Sequence, residues 1–262
     1  MQLEQLFDAI PFLGLYVGTV VLSLLSVEAG FRLGGHRRRR AEHEQETPVG
    51  AMVGATLGLL AFVLAFAFGM AATRFDTRKQ LVLDEANAIG TAHLRAALLP
   101  QPERAELQRL LREYVDVRLQ GVQPGKLQQA MARSEELHNL LWSQVVALGE
   151  KDPRSIVAGL FIQSLNEVID LHAKRVTASL RNRIPGIIWV ALYLVTVLAM
   201  VAVGYQTGLS SPRRSVVVLL LALAFAAIML LTADLDRPQA GLLKVSQQAL
   251  VDVRNSMRTP GR

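Results

Sequence analysis

Histidine and acidic side chains, the groups best suited to metal binding or proton transfer, are scattered along this chain. The five histidines include no HExxH pattern and no pair four residues apart, the spacing that places two imidazoles on one helix face. The one local cluster is His172 in the stretch NEVIDLHAKR, with Glu167 and Asp170. We expect His172 to contribute to a polar helix face or an interhelical hydrogen bond, and a metal site is the alternative.

Other catalytic signatures are also missing from the sequence. The chain has no cysteine, which removes disulfides, thiolate nucleophiles and cysteine-based metal sites together. It has no GxSxG, no P-loop and no dinucleotide-binding fingerprint, the patterns that mark common catalytic and nucleotide sites. The sequence therefore predicts a protein that is not an enzyme and that holds no metal or other cofactor.

A ladder of glycines spaced by four, GAMVGATLG from Gly50 to Gly58, lies inside an apolar stretch. Phosphate binding would need a loop that opens onto a helix in water, so this ladder predicts close packing between helices instead.

The stretch AFVLAFAFGMAATRFDTRK, from Ala61 to Lys79, continues this ladder from apolar into basic sequence. Positions four apart on a helix share a face, and their column winds slowly round the axis. The column from the first glycine runs through Gly50, Gly54, Gly58, Phe62, Phe66, Met70 and Arg74. Around a symmetry axis, such phenylalanines would form apolar rings that gate by dewetting, and arginines beyond them would favour anions. The alternative is that both phenylalanines face lipid or pack on a neighbouring helix.

The elements that carry these residues are those of a membrane protein. Apolar residues make up 51% of the chain and its mean hydropathy is +0.30. Four stretches without a charged side chain are long enough to cross, or nearly cross, a hydrocarbon core. They are Ile10 to Val27, Val49 to Ala72, Ile187 to Tyr205 and Ser215 to Ala233.

These stretches predict an all-α membrane protein in which two transmembrane hairpins flank a helical extramembrane domain. The predicted division is 1–72 for the first hairpin, 73–186 for the domain, 187–233 for the second hairpin and 234–262 for a C-terminal tail. Within the domain, apolar periodicity and Pro or Gly breaks predict helices. These are Thr73 to Leu99, Glu103 to Gln120, Lys126 to Leu148 and Ser155 to Arg183.

The net charge of +6 indicates lipid rather than nucleic acid as the partner. The densest basic run, His36 to Arg40, follows the first apolar stretch, where it would meet anionic headgroups or fix the topology. Basic residues at both ends of the predicted domain compete with that run, so charge alone leaves the side of the membrane that holds the domain open.

Several motifs resemble a known family. The run from Phe62 to Phe66, followed by Thr73 and Arg74, is similar to the pore-lining second helix of bestrophins. The whole chain from Phe12 to Met257 resembles the bacterial bestrophin-like membrane proteins, a family catalogued as a domain of unknown function and distantly similar to the bestrophin anion channels. The signature residues of that resemblance are Glu85, Ala86, Asn87, Ala88, Leu235, Asp236, Arg237, Pro238 and Gly241.

The resemblance implies a multi-pass protein of the bacterial inner membrane that assembles with itself, as a homopentamer, into an anion-conducting channel. It places two neck phenylalanines on Phe62 and Phe66 and a third neck position on Gly58, where the missing side chain would open one ring. It also favours a cytosolic domain. Bestrophins that respond to calcium carry an acidic run after the last span, whereas the corresponding segment here, AGLLKVSQQALVD, has one acidic residue. One carboxylate cannot supply the six or more oxygen ligands that calcium takes, so we predict no calcium gating of that kind. The alternative function is a non-conducting membrane scaffold or sensor of unknown ligand.

The remaining signature residues are polar and have a physical interpretation of their own. Those on the second helix could line the pore exit or form ion pairs, within the chain or between subunits: Arg74, Arg78, Asp84, Glu85 and Asn87. Among them, Asp84 lies within reach of Gln80 and Lys79. Asp236, Arg237 and Pro238 follow the last span, where they could dock onto the helical domain. We expect a structural hinge here, and a binding site is the alternative.

Overall fold

A computed structural model describes residues 10–40, 46–211, 215–237 and 241–258 of the chain. These residues form α-helices and no strand, which confirms the all-α prediction. The helices are α1 (Phe12–Arg39), α2 (Glu46–Ala96), α3 (Glu103–Gln120), α4 (Leu127–Lys151), α5 (Ile156–Leu180), α6 (Gly186–Ser210), α7 (Val216–Asp236) and α8 (Gln248–Arg258).

Four of these helices, α1, α2, α6 and α7, are long and apolar enough to cross a membrane. Each carries one of the charge-free stretches found in the sequence, so the four predicted spans are confirmed as helices. The second span continues without a break into polar sequence, because α2 runs from Glu46 to Ala96 with no proline or turn after its apolar half.

The helix α1 extends twelve residues beyond the predicted span, which ended at the first charged residue, Glu28. Glu28 forms a 2.8 Å ion pair with Arg32 one turn later, so a charged residue at this position does not end the helix. The basic run, His36 to Arg39, forms the last turn of α1, where positive charge complements the exposed carbonyl groups of the helix end.

The chain divides into two compact units. The first unit comprises Met1–Phe75 and Arg183–Leu243, and the second comprises Asp76–Asn182 and Lys244–Arg262. The sequence analysis assigned residues 234–262 to a tail of their own. In the structure this segment is shared between the units, and its helix α8 belongs to the second.

In the first unit, α1 and α6 touch backbone to backbone through glycines. A Cβ atom added to Gly30 would lie 2.0 Å from the carbonyl oxygen of Val201, and one added to Gly204 would lie 2.0 Å from that of Val27. Gly34 and Gly208, one turn further along each helix, make equally close approaches. Only glycine fits at such a crossing. The close packing predicted for Gly50 to Gly58 therefore occurs within the chain at other glycines.

The apolar half of α2 packs on the first unit with one face only. Leu60, Leu64, Ala67 and Ala71 are buried in a cluster with α6 and α7 residues such as Trp189, Leu192 and Met229. This spacing of three and four residues is that of a single helix face. On the opposite face of this half of α2, Phe62 and Phe66 are exposed among the residues that the structure describes.

The second unit surrounds a core built from the amphipathic helices. Five apolar residues at helical spacing form one buried face of α3: Leu107, Leu110, Leu111, Tyr114 and Val117. Leu250 and Met257 of α8 join the same core. The helix α5 begins where predicted, with Ser155 as N-cap accepting from the N–H of Ala158, and ends at Leu180, three residues short of the predicted Arg183.

Candidate functional site

The exposed face of α2 carries the phenylalanines that the sequence singled out. Phe62 and Phe66 are 71% and 62% exposed, although both lie in the middle of an apolar helix. Phe62 is two residues from Leu60 and from Leu64, which is about 200° round the helix axis. Burial of the leucine face therefore fixes the outward direction of both aromatic rings.

Gly54 and Gly58 lie on this same exposed side of α2. Among the described residues, apart from chain neighbours and the nearby backbone of the helix itself, none comes within 4 Å of a Cβ built on either glycine. The two ends of the predicted column, Gly50 and Arg74, do not lie on the exposed face. Gly50 faces Gln206 of α6, whose Nε2 would lie 2.9 Å from a Cβ, and Arg74 is half-buried. A column in steps of four advances about 40° each step, which explains why only its middle is exposed.

The second unit contains a buried polar cluster centred on Glu85, which is 0% exposed. The hydroxyl of Tyr114 donates to Glu85 Oε1 at 2.8 Å, and Arg118 Nε lies 3.0 Å from the same oxygen. Arg175 of α5 pairs with the other carboxylate oxygen. We call this group, together with His138 and His172, the Glu85 cluster.

Arg175 extends the Glu85 cluster to the segment before α8, because its second guanidinium nitrogen donates to Gln247 at 3.2 Å. The cluster thus joins α2, α3, α5 and the chain that leads into α8. A buried carboxylate between two guanidinium groups is costly to desolvate, and it is stable here only because its oxygens are all bonded.

The two histidines of the cluster stack edge to face, with ring centroids 4.9 Å apart. Nδ1 of His172 lies 3.1 Å from the Tyr114 hydroxyl. Since the single hydroxyl proton is directed to Glu85, Nδ1 of His172 must carry a proton and donate to the tyrosine oxygen. The expected interhelical hydrogen bond of His172 is therefore present, and its partner is Tyr114 rather than the acidic residues near it in sequence.

The electrostatics of the cluster keep its charges fixed near neutral pH. Burial alone would raise the pKa of Glu85, but the guanidinium groups of Arg118 and Arg175 outweigh it and lower that pKa. Burial, followed by repulsion from Arg118, lowers the pKa of His138 and of His172 to about 4. The histidines are consequently neutral, and the cluster holds one buried negative and two buried positive charges.

The other polar residues predicted on α2 have different environments. Gln80 donates to Asp84 at 2.9 Å, the pairing expected from their spacing. Asn87 is exposed and Arg78 is buried. Glu85 finds its partners on α3 and α5, not among the basic residues of its own helix.

The residues after the last span lie in the first unit and serve its architecture. Asp236 accepts from the backbone N–H of Ile184 at 2.9 Å and pairs with Arg183. Arg237 donates to the carbonyl of Ile10 and covers the ring of Phe12. These contacts fasten the end of α7 to the segments that precede α6 and α1. Pro238 lies outside the described residues.

Sequence reasoning missed most of the Glu85 cluster, although a signal was present. Arg118 follows Tyr114 by four residues and so continues the apolar stripe of α3. In the same way His138 follows Leu137 on a buried face, and Arg175 lies on the stripe of Leu165, Val168 and His172. Charged or polar residues on an apolar stripe are buried, and buried charges need partners.

Residues 17–250 match the family model described as the bestrophin-like domain. The chain belongs to the bestrophin-like family. It is accordingly a membrane protein of that family, with long apolar helices and a helical polar unit.

Solved structures share the bestrophin-like fold over nearly the whole chain. A mutant of a bacterial bestrophin homologue from Klebsiella pneumoniae has a TM-score of 0.63 at 15% identity, covering 94% of this chain and 97% of its own. The crystal structure of a membrane protein mutant gives the same TM-score, identity and coverage. At such low identity, these likenesses establish the fold alone. A comparison with curated proteins yields no match.

Proposed function

We propose that this bestrophin-like protein is a multi-pass channel of the bacterial inner membrane that assembles as a homopentamer and prefers anions. Its neck consists of rings of Phe62 and Phe66. The observation that carries the proposal is the exposure of both phenylalanines on the face of α2 opposite its buried leucines, as seen in the part of the chain that the structure describes.

The geometry of that face supports an axis lined by α2. A helix that buries Leu60 and Leu64 on one side presents Phe62 and Phe66 on the other, so five copies would point ten aromatic rings at a common axis. The open glycines, Gly54 and Gly58, allow backbones to approach closely. Apolar rings of this kind hold a pore closed by dewetting and open when it widens slightly.

Positive charge supports the anion preference. The chain has a net charge of +6, and Arg74 follows the neck by two turns on the same helix. A cation near a low-dielectric constriction raises the local concentration of anions and disfavours cations. Arg78 is buried within the subunit. Arg74 is half-buried about 80° round the helix axis from Phe66, at the border of the exposed face, so we assign Arg74 alone to the pore exit.

Reconstitution tests the proposal directly. We expect purified protein in liposomes to pass chloride, and Phe62→Ala with Phe66→Ala to raise that flux, because smaller rings stay wetted. The matched control is Leu13→Ala with Leu25→Ala, which truncates two exposed apolar side chains of α1 and should leave the flux unchanged. The mass of the protein in detergent should be that of five subunits.

The channel proposal would be contradicted if the reconstituted protein passed no current under varied salt, voltage and pH, or if it contained only one or two subunits. Either result would favour a non-conducting scaffold or sensor. Membrane sidedness has its own test. We place the second unit in the cytosol, so a thiol introduced by Gln123→Cys, the only one in the chain, should resist impermeant reagents added outside intact cells.

A further inference from the structure

The second unit has an open groove that the proposed channel function does not use. Its volume is about 610 Å³, which is within the size range of small-molecule sites. It lies between α2 and the last turns of α5. The lining includes Thr77, Leu81, Ala173, Lys174, Ala178 and Arg181.

The groove has an apolar floor and a basic rim. Leu81 and Ala178 supply buried or half-buried apolar surface, whereas Lys174 and Arg181 are exposed. Neither of these two side chains forms an ion pair or side-chain hydrogen bond with any other residue that the structure describes. Lys174 lies on α5 and Arg181, seven residues later, is the C-cap residue of that helix and keeps helical backbone angles. Seven residues are two turns, which return almost to the same direction and advance about 10.5 Å. Long flexible side chains from both can therefore reach one anionic group.

Both walls of the groove lie close in sequence to membrane-spanning stretches. Thr77 comes five residues after the apolar stretch that ends at Ala72, and Asn182, also in the lining, comes five residues before the one that starts at Ile187. On α2, which is continuous from Ala72 to Thr77, five residues advance only about 7.5 Å. The two strips that form the walls, 76–82 and 173–182, carry five basic residues and one acidic residue. Arg175 pairs with Glu85 and Arg78 is buried, which leaves Lys79, Lys174 and Arg181 at exposed positions.

We propose that this groove binds an anionic phospholipid. Lys174 and Arg181 hold the headgroup phosphate, and the apolar floor at Leu81 and Ala178 receives the first carbons of an acyl chain. An amphiphile with one negative charge is complementary to a basic rim over an apolar floor, and basic residues next to a membrane span attract anionic lipid. A free anion would leave the apolar floor exposed to water.

Native mass spectrometry of the full-length protein in detergent tests this site. Phosphatidylglycerol and phosphatidylcholine with identical acyl chains are added in turn, and the bound lipid per subunit is counted. We expect phosphatidylglycerol to be retained preferentially. The double change Lys174→Gln and Arg181→Gln should weaken that retention about tenfold. Ala173→Phe, which fills the groove and keeps both charges, should weaken it as well.

The matched control is Lys126→Gln with Arg154→Gln, which removes the same two charges from exposed positions elsewhere in the second unit and should leave lipid retention unchanged. Three results would overturn the proposal. One is equal retention by wild type and the groove variants, and another is equal retention of the zwitterionic lipid. The third is displacement of the lipid by glycerol phosphate, which would make the occupant a free phosphate.

The same spectra report the number of subunits. If the groove variants break up the oligomer and leave lipid binding intact, then a second copy of the chain covers the groove and the lipid proposal fails. Lipid retention is measured without any current, so this experiment can succeed or fail independently of the proposed channel.

Discussion

The hydroxyl of Tyr114 donates a 2.8 Å hydrogen bond to Glu85, linking α3 to α2 in the interior of the second unit. Both side chains are 0% exposed. Glu85 also pairs with Arg118 and Arg175, so the polar end of the helix that carries the proposed neck is held by three other side chains. The Glu85 cluster is therefore a polar anchor of α2.

Removing the charge of Glu85 should destabilise the protein strongly. Glu85→Gln keeps the shape but leaves Arg118 and Arg175 buried without a counter-charge, a loss of about 3–5 kcal/mol in the free energy of unfolding. Denaturant unfolding in detergent, followed by helical circular dichroism, measures it. The control is Asp84→Asn on the next residue, whose partner is the neutral Gln80 and whose expected cost is below about 0.5 kcal/mol. Equal costs for the two changes would refute the anchoring role.

Acid should destabilise the second unit through its neutral histidines. The pKa of both His138 and His172 is lowered from an ordinary value of 6.5 to about 4 in the folded protein. The unfolded chain therefore binds more protons between these values. The histidine contribution to stability is complete above about pH 6.5 and is lost as the pH falls through about 4.

The thermal midpoint of the protein in detergent, measured between pH 7.5 and 4, checks this dependence. We expect a loss on the order of 1 kcal/mol per histidine after allowance for solvent screening. The double change His138→Gln and His172→Gln should make the curve shallower, with both proteins compared to their own midpoint at pH 7.5. Parallel curves would show that other groups govern acid unfolding.

The crossing of α1 and α6 should depend on the absence of a side chain at Gly30. Gly30→Ala places a Cβ 2.0 Å from the carbonyl oxygen of Val201, so the helices must separate and lose van der Waals contact, at a cost of about 2 kcal/mol or more. Gly18→Ala is the matched control on the same helix, because nothing lies within 4 Å of its Cβ. Unfolding in a mixed detergent series should separate the two variants, and identical midpoints would rule out a tight crossing.

A side chain at Gly58 should narrow the proposed neck. A Cβ there meets nothing within the subunit, so Gly58→Leu leaves the fold intact and adds a third apolar ring above Phe62. We expect chloride flux to fall several-fold in liposomes. Gly18→Leu, an equally open position on α1, should leave the flux as it is. A flux unaffected by Gly58→Leu would mean that this face of α2 does not line the conducting path.

Much of the fold could be predicted because its signals are local. The four apolar stretches, the stripe of Leu107, Leu110 and Leu111 on α3, and the N-cap at Ser155 each depend on residues within a few turns of one another. Two local features of the fold were not predicted from the sequence. The predicted first span was defined by the absence of charge and so stopped before Glu28, yet α1 continues past this residue, which forms an ion pair with Arg32. No helix was predicted in the tail, where α8 packs Leu250 into the core of the second unit.

The candidate sites divide in the same way. That Phe62 and Phe66 share one face of α2 followed from the helical period alone, whereas the partners of Glu85 come from positions 29, 33 and 90 residues away. No period or spacing connects such residues. The glycines show the same contrast. Gly50, Gly54 and Gly58 on α2 and Gly30 and Gly34 on α1 are all spaced by four residues, but only Gly30 and Gly34 lie against the backbone of another helix.

The sequence by itself determined that this chain is an all-α protein with four membrane-length apolar helices, and that one of them carries stacked phenylalanines. It did so because hydrophobicity and the 3.6-residue period are properties of neighbouring residues. Only the tertiary structure decided which face of α2 is buried, which glycines allow helices to touch, and which charges neutralise Glu85. Those outcomes depend on helices distant in sequence, whose meeting is set by the packing of the whole unit.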